Sequence, residues 1–328
     1  MRIFTNILLV LSLFFLVSEI KAQINTPYSQ YVFNKYMLNP ATAGSEGISS
    51  FNLTSRKNWL GINEAPGFVS LSAETRILRT NKFMKKLSVR FKYLRRRRPS
   101  GRVGLGAQIF TDYHSRFSKS GIRTSYSYHL PLRDAQLSFG MSLSVYQDKI
   151  NLENALLYDT YDPIIENIDR SKIIMNGDMG IFYTNFQYYA GYSMMNLYQR
   201  SALYSIGQNI LKSDRTHILM GGYRYTLNRK FDIEGNVMFR MPEREKLGAE
   251  INVKGIYLKQ YWAGISYRTT NAIVVILGAE LKNFYAGYAF DWDFNDLSHY
   301  EHFGGSHEIT LGYNIGDKKR RYKWLYRF

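Results

Sequence analysis

"QLSFGMSLSVYQD", residues 136–148, alternates without a break. Leu137, Phe139, Met141, Leu143 and Val145 fall on one side, and Gln136, Ser138, Gly140, Ser142 and Ser144 on the other. Period 2 is the signature of a strand whose two faces meet different surroundings. "KFDIEGNVMFR" (230–240), "NAIVVILGAEL" (271–281) and "NFYAGYAFDWD" (283–293) repeat the pattern. A sandwich would alternate too, so length has to decide. These segments run about 9 to 11 residues, enough to cross a bilayer at a tilt, whereas globular strands average about 5 or 6.

Working outward, the chain holds fourteen such segments: 48–56, 67–75, 102–112, 121–129, 135–147, 175–184, 187–195, 216–226, 231–239, 246–257, 260–268, 273–281, 284–292 and 307–316. The fold class expected is all-β, a single transmembrane antiparallel β-barrel of about 14 strands with a short N-terminal periplasmic lead. An even count suits bacterial outer-membrane barrels, which have short periplasmic turns and longer surface loops. With the amino terminus in the periplasm, the short connections (around Asn185, 227–230, 258–259, 282–283) fall on one side. The long ones, 149–174 and 196–215, fall on the other. The exception is 76–101, containing "KKLSVRFKYLRRRRPSGR". Part of it, and the tail "RRYKWLYRF", also alternate, which would raise the count to sixteen. Fourteen is preferred because four consecutive arginines suit an aqueous hairpin better than a barrel wall.

Composition agrees. Aromatic residues make up 16% of the 328 residues, with 27 Tyr and 20 Phe, and membrane interfaces use such rings. Absence of cysteine excludes disulfides and thiolate chemistry. The formal charge of +17 calls for an anionic partner or surface; export makes nucleic acid an unsuitable one. Export is expected from residues 1–22, in which Arg2 precedes the apolar run Ile7–Val17 and a small-residue cleavage site lies before Gln23. No later apolar run approaches the roughly 20 residues of a spanning helix. The expected organisation is therefore a signal peptide (1–22), a periplasmic lead or plug (23–47), an outer-membrane barrel (48–316) and a basic aromatic tail (317–328).

The lead contains "YSQYVFNKYMLNPATAG", residues 28–44. This stretch resembles the opening signature of the PorP/SprF family of the Bacteroidetes type IX secretion system, at Ser29, Gln30, Tyr31, Phe33, Asn34, Asn39, Pro40, Ala41, Ala43 and Gly44. "SRKNWLGINEAPG" resembles a later family segment, with Asn58 at the usual Gln. "HILMGGYRY", "YWAGISYRTTNAIVVILGAEL", "YAGYAFDW" and "GSHEITLGY" follow in family order. The resemblance implies an outer-membrane barrel needed for secretion or surface attachment of proteins with a C-terminal secretion domain, often gliding or adhesin proteins. Its implied partners are outer-membrane lipid, periplasmic ring or lipoprotein components, and the secreted client. Read physically, Ser29 would cap a short helix that Asn39-Pro40 ends, and Ala41, Ala43 and Gly44 would allow close backbone approach. The element would sit at the periplasmic mouth or fold into it, either as packing beneath the barrel or as a docking site. The docking reading uses Gln30, Tyr31, Phe33, Asn34, Asn39 and Pro40 together with Arg95, Arg96, Arg97 and Arg98.

No catalytic, cofactor or metal set emerges. "HEITL" at His307 lacks the second histidine of a zinc protease motif, and His299, Glu301 and His302 read as solvated loop residues. Inward-facing charges are expected at Arg56, Asp232, Glu234, Arg240, Glu250, Arg268, Glu280, Asp291 and Glu308, with Glu74, Arg102, Lys246 and Lys254 among others. Both signs occur in comparable numbers, so a cross-linked interior is expected rather than an ion-selective ring. A passive porin-like channel is the alternative.

Overall fold

The computed structural model describes residues 28–77, 101–150, 171–198, 201–204, 208–212, 214–244, 246–294 and 304–315. Its strands are β1 (Ser49–Lys57), β2 (Gly67–Ile77), β3 (Val103–His114), β4 (Phe117–Pro131), β5 (Ala135–Ile150), β6 (Ser171–Asn185), β7 (Tyr188–Met195), β8 (Ser201–Tyr204), β9 (Gln208–Lys212), β10 (Thr216–Thr226), β11 (Phe231–Pro242), β12 (Gly248–Tyr257), β13 (Tyr261–Arg268), β14 (Ala272–Leu281), β15 (Phe284–Asp293) and β16 (Ser306–Ile315). All but β8 and β9, which pair only with each other, join one antiparallel sheet. β1 closes the sheet on β16, from Ser49 opposite Ile315 to Lys57 opposite His307.

This is the fourteen-strand barrel expected, each segment within four residues of its place. The two segments that would have raised the count to sixteen lie outside the described residues, and the sheet closes without them. The hairpin β8–β9, inside the long connection 196–215, was not anticipated.

Alternation sorts the side chains as the two media require. Met141, Ile265, Leu277 and Leu311 point outward with 47–63% of their surface exposed. Such continuous apolar walls are foreign to soluble monomers, whose apolar patches stop at a few hundred Å². Inward residues of the same strands are buried, among them Gln136, Ser138, Ser266 and Thr310. A ten-residue strand spans about 33 Å along its axis and, at the usual tilt, about 25 Å of bilayer.

The two rims differ. At one, all five described connections are tight, β4–β5, β6–β7, β10–β11, β12–β13 and β14–β15, whereas at the other β3–β4 and β13–β14 are as short and the rest are longer. Asn185 and Asn228 each close theirs by accepting two backbone N–H groups at 2.8–2.9 Å. At the other rim β4, β5 and β6 run to 15–16 residues and stand above the 8–12 of most other barrel strands.

Ile265→Arg, at the middle of β13 on the outer wall, is expected to cost about 2–4 kcal/mol of folding stability in lipid vesicles, as midplane charges do. Urea-dependent folding measures it; an unchanged midpoint would remove Ile265 from lipid contact.

Candidate functional site

The lumen is occupied by the chain itself. Residues 28–48 run through it, built from two turns of 3-10 helix, Lys35–Met37 and Pro40–Thr42. The single helix expected from Ser29 does not form. Its cap is spent elsewhere, because the Ser29 hydroxyl binds Asp291 at 2.7 and 2.8 Å and the Ser29 and Gln30 N–H groups donate to Glu308 at 2.9 Å. Asn39, expected to end a helix, instead caps the second turn by accepting the Ala41 N–H at 2.9 Å.

The segment is fastened on all sides. Asn34 donates to Ser72, Tyr36 shares a 2.9 Å hydrogen bond with Ser125, and the Asn39 amide donates to the carbonyls of Ile181 and Tyr192. Ser193 and Ser127 donate to the carbonyls of Leu38 and Ala43 at 2.6 Å. Gly44 donates to Glu74 at 2.9 Å. These contacts give the segment a direction. Tyr28 stacks edge-on against Phe68 at 4.7 Å, and both Phe68 and the partners of Ser29 lie toward the long-loop ends of their strands. Ala43 and Gly44 meet the short-turn ends of β4 and β2.

Small residues make room for it. A Cβ on Gly140 would collide with Ala41, one on Gly104 with the Ala43 carbonyl, and one on Gly180 with the Asn39 side chain. Gly104 thus relieves crowding by the plug.

Charges gather in two knots. Arg56 pairs with Asp291 at 2.8 Å and Glu308 at 3.1 Å, while Arg268 pairs with Asp291 and Glu250 at 3.0 Å. Both guanidiniums also donate to the Ser29 hydroxyl. The second knot joins Glu234 to Arg224 at 2.8 Å and Lys254 at 3.0 Å, with Lys254 lying 4.6 Å from the Phe33 ring centre. Lys35 donates to the Val32 carbonyl and lies over Tyr189; desolvation pushes its pKa down to about 8 against the pull of Glu234. Burial likewise pushes the Tyr36 hydroxyl up to about 12.

Sequence reasoning named Arg56, Glu250, Arg268, Asp291 and Glu308 separately; the barrel brings these five together. Glu234 joins the second knot. Asp232 is buried, and Arg240 and Glu280 are half-buried, outside both knots. Arg102 and Lys246, expected to face inward, are exposed at opposite rims, because each precedes its strand's first paired residue. Gln30, Tyr31, Asn34, Asn39 and Pro40 are buried and Phe33 is half-buried against Trp262, so all six are withdrawn into the lumen. Arg95–Arg98, His299, Glu301 and His302 lie outside the described residues. His307 hydrogen-bonds Tyr288 at 2.7 Å on the outer wall while Glu308 turns inward, so adjacent strand positions separate the two halves of "HE". The ion pair Arg123–Asp178, at 3.3 Å, was not anticipated. Their inward parity on β4 and β6 was the available signal.

Among solved structures, the chain resembles the Ralstonia pickettii toluene transporter TbuX (11% identity, TM-score 0.47, covering 86% of this chain and 93% of that one). It also resembles the Acinetobacter baumannii outer membrane protein Omp33 (6%, 0.43, 83% and 100%) and a Pseudomonas aeruginosa FadL homologue (10%, 0.41, 87% and 90%). No curated protein matches in sequence. A family model described as "Type IX secretion system membrane protein PorP/SprF" matches residues 20–313.

Asp291→Ala would leave two buried guanidiniums short of a partner and Ser29 without its acceptor. It is expected to destabilise the barrel by about 3–5 kcal/mol, read as a lower denaturant midpoint; a neutral result would show that the first knot does not hold the plug.

Proposed function

The chain belongs to the PorP/SprF family of type IX secretion system membrane proteins, and from that premise we propose that it is a non-enzymatic outer-membrane component required for secretion or cell-surface attachment of proteins carrying a C-terminal secretion domain, such as gliding or adhesin proteins. The observation that carries this reading beyond family membership is the plugged lumen. A segment fastened to β2, β4, β6, β7, β15 and β16 and crossed by buried ion pairs leaves little for a passive porin to use.

The long-loop rim then faces outside. There the connections 149–174, 196–215 and 293–306, with the raised ends of β4–β6, would capture or retain the client's C-terminal domain. The short-turn rim faces the periplasm, where ring or lipoprotein components would meet the basic stretch 85–98. Partner contact through Gln30–Pro40 would require the plug to leave the lumen.

Two measurements test this. In planar bilayers the purified protein should show no steady open pore, whereas Gly140→Leu, wedged against Ala41, should raise conductance. In cells, removing the β8–β9 hairpin (201–212) should reduce surface attachment of clients while leaving the barrel inserted. A large constitutive pore in the unmodified protein, with secretion unaffected by its deletion, would favour the porin.

A further inference from the structure

Four of the five described short turns share one chemistry. Three set an exposed leucine directly before a base, Leu132 before Arg133, Leu258 before Lys259 and Leu281 before Lys282, and the fourth sets Leu227 one residue short of Arg229 and Lys230. The leucines are 43–60% exposed. Three of them continue the outward row of their strand, Leu132 after Tyr128 and Leu130, Leu227 after Tyr223 and Tyr225, and Leu281 after Leu277. The apolar skin therefore reaches the turn, and the base stands just beyond it.

Charge differs sharply between the rims. The five short turns hold five bases against one acid, Asp134, while the described connections of the opposite rim hold four bases against three acids. Turn geometry does not ask for these residues. Leu258, Lys259 and Lys282 all adopt left-handed backbone, with φ of 53°, 58° and 58°, where Gly and Asn fit with least strain.

The membrane boundary can be located beside them. Outward aromatic pairs ring the same rim: Tyr183 with Tyr188 at 5.7 Å, Phe231 with Tyr257 at 5.3 Å, and Phe284 with Tyr313 at 4.4 Å. Such girdles sit at the headgroup interface. Lys230 stands one residue beyond this girdle, and Lys259 and Lys282 two.

We infer that the short-turn rim is a clamp for anionic phospholipid of the inner leaflet, each leucine entering the acyl region and each base meeting a headgroup phosphate. An acidic protein docking end-on would explain the bases but not the exposed leucine beside each one. Bases on turns from β4 to β15 instead follow the circumference that lipid surrounds. The inference rests on the outer-membrane orientation proposed above.

The experiment uses the full mature chain in nanodiscs of phosphatidylethanolamine with or without phosphatidylglycerol. Native mass spectrometry reads the lipid retained after detergent extraction. The wild-type protein should keep phosphatidylglycerol over phosphatidylethanolamine by about fivefold or more, the order that one base near an anionic surface supports. Combined Arg133→Gln, Arg229→Gln, Lys230→Gln, Lys259→Gln and Lys282→Gln should abolish that preference while leaving 85–98 intact. No preference in the wild type, or one that survives in the variant, overturns the clamp. So does a variant that keeps its lipid and loses a periplasmic protein instead. Orientation is read separately, since the chain has no cysteine of its own. Thr270→Cys should react with an impermeant maleimide on intact cells and Asn283→Cys only after permeabilisation. The reverse labelling would overturn the orientation, not the lipid chemistry.

Discussion

A fourteen-strand cylinder encloses more space than its inward side chains can fill. Eight strands make a packed interior and sixteen to eighteen leave an aqueous channel, so a barrel of intermediate size needs either water or more chain. This one uses its own residues 28–48, and much else follows from that choice. Close approach of Ala41, Ala43 and Asn39 requires Gly140, Gly104 and Gly180 on the wall. The polar inward faces of β2, β4, β6 and β7 find in the plug the hydrogen-bond partners that a lumen without water would deny them.

Burying the plug also decides the form of the electrostatics. Arg56, Arg268, Asp291, Glu250 and Glu308 are each under 5% exposed, a setting in which an unpaired charge would be costly and a one-signed ring untenable. Pairing is therefore obligatory, and the pairs carry information that an apolar filling would lack. Ser29 fits between two guanidiniums and two carboxylates in only one register. Sliding the plug by one residue would present Gln30 or Tyr28 to the same groups.

The barrel was legible in the sequence because lipid and lumen impose opposite demands on alternate residues of every strand. "QLSFGMSLSVYQD" needs no partner to be read, and β5 contains all of it. The plug was legible only as an odd, ring-rich lead. Its conformation is not set by local preference: the i,i+4 pairs Val32/Tyr36 and Phe33/Met37 suit a helix, but the hydrogen bonds that win come from residues such as Asp291 and Glu308, more than 260 positions away. The inward charges could be named one at a time for the same reason that their assembly could not be foreseen. Parity gives the face, and only the closed register gives the neighbours. The hairpin β8–β9 gave even less warning, since both strands are short and neither lines the barrel.

Closure and plugging share residues. Arg56 on β1 and Glu308 on β16 are register partners across the seam that closes the sheet, and they are also the ion pair that receives Ser29 and Gln30. Until β1 meets β16, Glu308 lacks the arginine that offsets its burial, and the two plug N–H groups lack a settled acceptor. Once they meet, the plug is held at the long-loop end by the same contact that seals the wall, while at the other end it runs without interruption into β1. A seam closed without the plug would leave Glu308 without the Ser29 and Gln30 N–H groups and Asp291 without the Ser29 hydroxyl. Filling the lumen and closing the sheet are thus energetically one step, which makes the plug part of the barrel's fold rather than a stopper added to a finished pore.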